Sequence, residues 1–175
     1  VPFPPDRGDK IRSHHLLRAL AGLAPVHVAT FGDDERDMNC EKDLARVAAS
    51  HCLVLRDKPL WMAGAEALIS GKPVSLTAFK DARISEFVAR TIASRPIRTI
   101  YVFSGQMGQY VPAEFSGRVI ADLCDVDSAK FEAYGAAGAG WRAWIDRREG
   151  KRLRAAEVAL AERAAATLLI SPEEA

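Results

Sequence analysis

Short β-branched and aromatic runs alternate along this chain with longer segments whose apolar residues recur every third or fourth position. That alternation predicts strands over 26–31, 52–55, 99–103, 118–123 and 167–170, separated by helical patterns of ten or more residues. The helices are expected over 8–24, 39–49, 60–70, 81–94, 128–134 and 141–163. In the second of these Leu44, Val47 and Ala48 form the inner face, and in the fourth Ile84, Phe87, Val88 and Ile92 do so. Gly71-Lys72-Pro73 and Pro96 are helix stop signals, and Ser171-Pro172-Glu173-Glu174 reads as the start of a further helix. Strands alternating with helices of this length pack as a parallel α/β sheet covered by helices on both faces. The expectation is one sheet holding all five strands, within a single domain over 1–175.

Composition sets outer limits on function. With 24 Lys and Arg against 23 Asp and Glu, the formal charge is +1, so a strongly basic nucleic-acid binder is not the expectation. No apolar run approaches the ~20 residues of a membrane-spanning helix, and the opening residues lack the basic-then-apolar pattern of a secretory signal. Cys40, Cys52 and Cys124 form no CxxC and cannot all pair within the chain, which suits small buried fillers in a reducing, cytoplasmic compartment. Val1 is not an initiator methionine and no strand precedes Pro4-Pro5. The chain is therefore expected to be a fragment whose opening strand is missing, leaving an unpaired edge beside 26–31 or 99–103.

Ligands of open parallel sheets bind outside the carboxyl ends of the strands, so the strand-exit loops carry the candidate chemistry. In Pro4-Pro5-Asp6-Arg7-Gly8-Asp9-Lys10-Ile11-Arg12, Gly8 stands at the mouth of a helix, where free N–H groups favour an anion. Lys10 and Arg12 oppose the helix dipole there, which a bound anion would rationalise, while Asp9 is a candidate helix cap. The run Asp122-Leu123-Cys124-Asp125-Val126-Asp127-Ser128 places three acids around a strand exit. Asp127 or Ser128 can cap the next helix, leaving Asp125 to orient a hydroxyl or accept a proton. The loop after 99–103 offers Ser104, Gln106, Gln109 and Tyr110, donors and acceptors suited to a hydroxyl-rich ligand.

Other features point to bland roles. His14-His15 have no acid or cysteine at ligand spacing, and no metal site is expected. Asp33-Asp34 reads as a solvated turn. Gly135, Gly138 and Gly140 loosen a helix–helix join, without the lysine of a phosphate loop. From Arg142 to Arg154 there are six basic and two acidic residues, ordinarily a solvated helix face, with an anionic surface as the alternative.

PFPPDRGDKIRSHHLLRAL (2–20), VHVATFGDD (26–34), CDVDSAKFEAYG (124–135) and ERAAATLLIS (162–171) together resemble the N-terminal half of GT-B glycosyltransferases. More narrowly the chain resembles the family 4 sugar transferases associated with exosortase (PEP-CTERM) exopolysaccharide clusters, with PPDRGDKIRS and DVDS-x-K as the specific segments. The resemblance implies a Rossmann-like, acceptor-binding domain of a bacterial two-domain retaining enzyme. The other half would bind a nucleotide-sugar through paired glutamates, and the chain alone would be inactive. It implies that Gly8 faces the donor phosphates, that Lys10 and Arg12 contact an anion, and that Asp125 and Asp127 stand where relatives touch the transferred sugar. Before the last strand, where relatives commonly read Ala-Asp, this chain has Ala164-Ala165-Ala166. The implied partners are a nucleotide-sugar and a saccharide or lipid-linked acceptor, with peripheral contact to the inner membrane surface and no nucleic acid. No metal or cofactor is implied. The rival expectation is a non-enzymatic flavodoxin-like or receiver-like binding module, for which Asp33-Asp34 would be the acidic pair. A nicotinamide-dependent enzyme is disfavoured by the lack of GxGxxG.

Overall fold

A computed structural model describes residues 1–170; the helix start expected over 171–174 lies outside the described residues. The chain forms two compact units. One consists of Val1–Asp57 and Asp81–Pro96, and the other of Lys58–Lys80 with the rest of the chain from Ile97. Both are α/β, with parallel strands flanked by helices, a Rossmann-like arrangement at that coarse level.

In the first unit, α1 (Gly8–Ala21) leads to β1 (His27–Gly32), two short helices α2 (Glu35–Asn39) and α3 (Glu41–Val47), and β2 (Ser50–Leu55). Strands β1 and β2 are parallel, in register from His27 against Ser50 to Gly32 against Leu55. Phe3, Leu17 and Leu44 make the core, with Val26, Val28, Val47 and Leu53 packed on it. Helix α6 (Ala82–Ser94) buries Ile84 and Phe87, and Asp81 caps it by accepting from the Arg83 N–H. Two local expectations change here. Asp34 lies in an exposed turn as expected, but its carboxylate also accepts the Asp37 N–H at 2.9 Å and starts α2, a short helix not expected there, while the helix expected over 39–49 is the shorter α3. Helix α1 also stops at Ala21, sooner than expected.

The second unit begins with α4 (Leu60–Ser70), closed by Gly71 in the left-handed region, and α5 (Val74–Ala78). Strand β3 (Thr99–Phe103) runs into a 3-10 helix over Gly105–Tyr110 and then β4 (Arg118–Cys124). Helices α7 (Asp127–Ala137) and α8 (Gly140–Arg163) follow, and β5 (Ala166–Leu169) completes a parallel sheet of order β3-β4-β5. Val102, Val111, Val119, Ala121, Leu123 and Leu160 form its core. Gly135, expected only to loosen the join after α7, lies inside that helix, and Gly150 lies inside α8. A Cβ on Gly135 would stand 3.0 Å from the Arg147 backbone nitrogen, and one on Gly150 would stand 3.1 Å from that of Glu132. These two positions let the helix backbones approach closely.

The five strands thus form two parallel sheets rather than the single sheet expected. Period and composition identify which segments are extended, but not which strand edges meet. Among the described residues β1 ladders with β2 alone and β3 with β4 alone.

Candidate functional site

The exits of β3 and β4 are built from strained backbone. Ser104, just after β3, has φ 73°, and Cys124, at the end of β4, has φ 61°. Left-handed backbone at residues other than glycine is unfavourable, persists only where surrounding bonds enforce it, and clusters at ligand sites. The enforcing bonds are visible. The Ser104 N–H donates to the Asp122 carbonyl at 2.8 Å. The fully buried Asp122 carboxylate accepts from the Tyr101 hydroxyl at 2.7 Å and from the Cys124 N–H at 3.3 Å. The β4–β5 ladder shifts register between Asp122 and Cys124, which re-aims the chain as it leaves the sheet.

Polar side chains collect above these exits. The Ser104 hydroxyl donates to Gln106 Oε1, and Gln106 Nε2 donates to Asp127 at 2.7 Å. Lys130 Nζ bridges Asp125 at 2.6 Å and Asp127 at 3.2 Å. Its bond with Asp125, with that to Asp127, raises the Lys130 pKa above its ordinary value despite partial burial. Ser104, Gln106, Asp125 and Asp127 are therefore brought together in one half-buried cluster. Gln109, also singled out in this loop, turns inward instead: its Nε2 donates to the Leu76, Phe79 and Gln106 carbonyls and pins the 3-10 helix. The Tyr110 hydroxyl likewise donates to the Phe79 carbonyl.

Capping of α7 differs from the sequence expectation. Neither Asp127 nor Ser128 caps it, because Val126 holds the N-cap position and its side chain cannot accept a bond. The buried carboxylate of Glu157, from α8, accepts both the Ser128 N–H at 3.2 Å and its hydroxyl at 2.5 Å. Burial raises the Glu157 pKa, and the two Ser128 bonds offset that only in part. With the cap supplied by Glu157, Asp127 is left to face Gln106 and Lys130. From sequence Tyr101 takes no role, and Lys130 takes none beyond ending the DVDS-x-K segment. Their signal was present, a tyrosine two residues before a strand end and a lysine one turn into the next helix, but only the fold pairs them with acids.

The other predicted residues lie in the first unit, at the start of α1. Gly8 is exposed, and a Cβ there would meet nothing within 4 Å. Asp9 is not the expected cap. Arg7 holds that position, no side chain caps α1, and Asp9 pairs with Arg7 at 3.1 Å. Lys10 is buried against Asp37, in an ion pair shielded from water. Asp37 also accepts the Asp33 N–H at 3.0 Å. Burial pushes the Asp37 carboxyl up, but Lys10 and the Asp33 N–H outweigh it and hold it below its ordinary value. Asp33 is likewise lowered: burial is overcome by Arg7 at 2.7 Å and Arg56 at 2.9 Å. Arg12 is half-buried on the same helix. Thus the Lys10 ammonium serves the fold through Asp37, and the acidic pair Asp33-Asp34 is occupied by arginines and a helix cap.

No group of three or more His, Cys, Asp or Glu side chains among the described residues could hold a metal ion. No protein-family model, curated protein or solved structure matches this chain.

Proposed function

We propose that this chain is the Rossmann-like, acceptor-side domain of a retaining GT-B glycosyltransferase, similar to family 4 enzymes of bacterial exopolysaccharide synthesis. The observation that carries the reading is the polar cluster at the strained exits of β3 and β4. Saccharides present dense hydroxyl groups, each donor and acceptor at once. Carboxylates at Asp125 and Asp127 accept from such hydroxyls, while the Gln106 amide and Ser104 hydroxyl both donate and accept. Parallel α/β sheets place ligands at this end of their strands.

In this reading the acceptor saccharide, free or lipid-linked, exchanges its hydroxyls for the internal bonds among Gln106, Asp127 and Lys130. Asp125 and Asp127 orient the sugars at the reacting centre, within hydrogen-bond reach of about 2.6–3.2 Å. The bond from the glycosyl carbon to the nucleotide phosphate breaks as that carbon bonds to the acceptor oxygen, whose proton passes to the departing phosphate oxygen. Anionic charge grows on the departing phosphate, and charge of that kind is stabilised by unpaired helix N–H groups and cationic side chains. The donor half belongs to a further domain, so the chain alone is inactive because the transition state needs groups from both halves. The reaction is placed on the cytoplasmic side, where nucleotide-sugars are made.

The test is sugar transfer by protein that joins this chain to its donor-binding half, supplied with nucleotide-sugars and saccharide acceptors. Retention of anomeric configuration is expected, with a loss of about a hundredfold or more in turnover for Asp125→Asn or Asp127→Asn. Wild-type turnover in both variants removes these carboxylates from the mechanism, and absence of any transfer overturns the reading.

A further inference from the structure

Helix α4 is built inside out. Its inward face carries the small residues Ala63 and Ala67, both fully buried, while its large apolar side chains point to water. Trp61 is 75% exposed and Ile69 90%, and Leu60 and Leu68 are nearly as open. Its one charged residue, Glu66, is neutralised by Lys58 at 2.6 Å and Lys80 at 2.5 Å. A soluble surface helix ordinarily shows the reverse pattern.

Helix α8, in the same unit, also carries exposed apolar side chains. The Arg148 guanidinium donates to the Ala67 carbonyl at 2.9 Å, so its side chain reaches from α8 to the C-terminal half of α4. Trp144 and Ile145 lie one turn before Arg148 on the same face of α8, and Trp141 lies one turn earlier still. All are exposed. The chain has three tryptophans, and every one of them is exposed on α4 or α8. Exposed apolar side chains in such number mark an interaction site.

Charge decides the occupant. Between Arg142 and Arg154 six basic residues stand against two acidic ones, and of the six Arg147 and Arg154 turn to α7, where Arg154 pairs with Glu132, leaving Arg142, Arg148, Lys151 and Arg152 for this side of the helix. One of those acids, Glu149, is buried, where it accepts the N–H groups of Val74 and Ser75 and contributes nothing to the surface. Lys151 and Arg152 are exposed beside the apolar face, and Arg142 lies over the Trp141 ring at 5.3 Å. A second copy of the chain docked through this face would set the basic run against itself, which like-charge repulsion opposes. An anionic lipid surface supplies both matches: acyl chains for the exposed apolar residues, and headgroup phosphates for the cations. Tryptophan is favoured at that boundary because its ring is apolar and its N–H is polar. No helix among the described residues is long and apolar enough to cross a membrane.

We infer that the α4–α8 face is a peripheral docking surface for anionic bilayers. This rests on exposed apolar area and charge alone, and stands whether or not the chain serves sugar transfer.

The test uses the emission of the three native tryptophans with vesicles of phosphatidylcholine alone or with phosphatidylglycerol. A blue shift and co-flotation are expected with phosphatidylglycerol vesicles, with affinity at least about tenfold above that for neutral vesicles and falling as salt rises. Leu68→Ser with Ile69→Ser should weaken binding through the apolar contact, and Lys151→Gln with Arg152→Gln through charge, each with an unchanged melting temperature. Absence of a shift and of flotation with phosphatidylglycerol vesicles overturns the proposal. So does concentration-dependent self-association without lipid that Leu68→Ser with Ile69→Ser abolishes, since the face is then covered by a second copy.

Discussion

The side-chain amide of Gln106 donates to the Asp127 carboxylate at 2.7 Å, and this one bond ties the loop after β3 to the first turn of α7 after β4. Two separate strand exits thereby present one polar surface. Gln106→Leu removes that tie while keeping side-chain bulk. The expected stability loss is about 0.5–1.5 kcal/mol, the ordinary net contribution of one hydrogen bond, measured by urea unfolding. Saccharide affinity is expected to fall by about tenfold, as a lost polar contact of similar size implies. A large loss of stability with unchanged affinity would make Gln106 a structural residue only.

The Lys10–Asp37 pair predicts a non-additive double mutant. Asp37→Ala leaves a buried ammonium without its partner, which costs roughly 3–5 kcal/mol. Lys10→Met strands the Asp37 carboxylate with only the Asp33 N–H still donating to it. Lys10→Met combined with Asp37→Ala is expected to be less damaging than the sum of the two changes, since no uncompensated charge remains. Thermal melts of the three variants check this. Strict additivity would mean that the pair is not coupled.

Glu157 gives a pH dependence of defined sign. Its folded pKa lies above the ordinary value of 4.5 because it is buried. The folded state therefore binds the proton more tightly than the unfolded state. The associated stability is fully present below the unfolded pKa and is lost as pH rises through the folded pKa. Asp33 and Asp37 act oppositely: their folded values are lowered, so their contribution is present above the unfolded pKa and lost on acidification. Comparing wild type with Glu157→Gln isolates the first effect. The stability of wild type relative to that variant should decline from mildly acidic pH toward neutral. A difference that stays flat or grows with pH would contradict the assignment. Glu157→Ala, by contrast, orphans the buried Ser128 N–H and hydroxyl, at a cost of about 1–3 kcal/mol for each group left unpaired.

Gly150→Ala tests the α7–α8 contact. The added Cβ would stand 2.9 Å from Glu132 Cγ and 3.1 Å from the Glu132 backbone nitrogen. The side chain can yield but the backbone must shift, so overpacking of about 1–3 kcal/mol is expected to exceed the ~1 kcal/mol gain in helix propensity. A raised melting temperature would show that the helices have room to separate.

What was legible in the sequence follows from what is local. The strands and long helices announce themselves by period, and the strand-exit position of Ser104, Gln106, Asp125 and Asp127 follows from where β3 and β4 stop. Missed features depend on partners distant along the chain. Helix α5 has no cap signal of its own because Glu149 supplies it. Asp127 and Ser128 looked like caps for α7 because Glu157 could not be placed against them. Lys10 reads as an anion contact in the first turn of α1 because nothing local shows that the turn after β1 brings Asp37 onto it. The five strands suggested one sheet because alternation identifies strands without specifying which edges pair.

The most direct test of the saccharide-site reading is a backbone amide NMR titration of the 175-residue chain with oligosaccharides of varied composition. The account predicts shifts concentrated at Ser104, Gln106, Asp125, Asp127 and Lys130 with at least one saccharide, and their loss in Asp125→Asn with Asp127→Asn. Saturating amounts of every saccharide leaving those five amides unmoved, or shifts confined to residues away from the β3 and β4 exits, would contradict it.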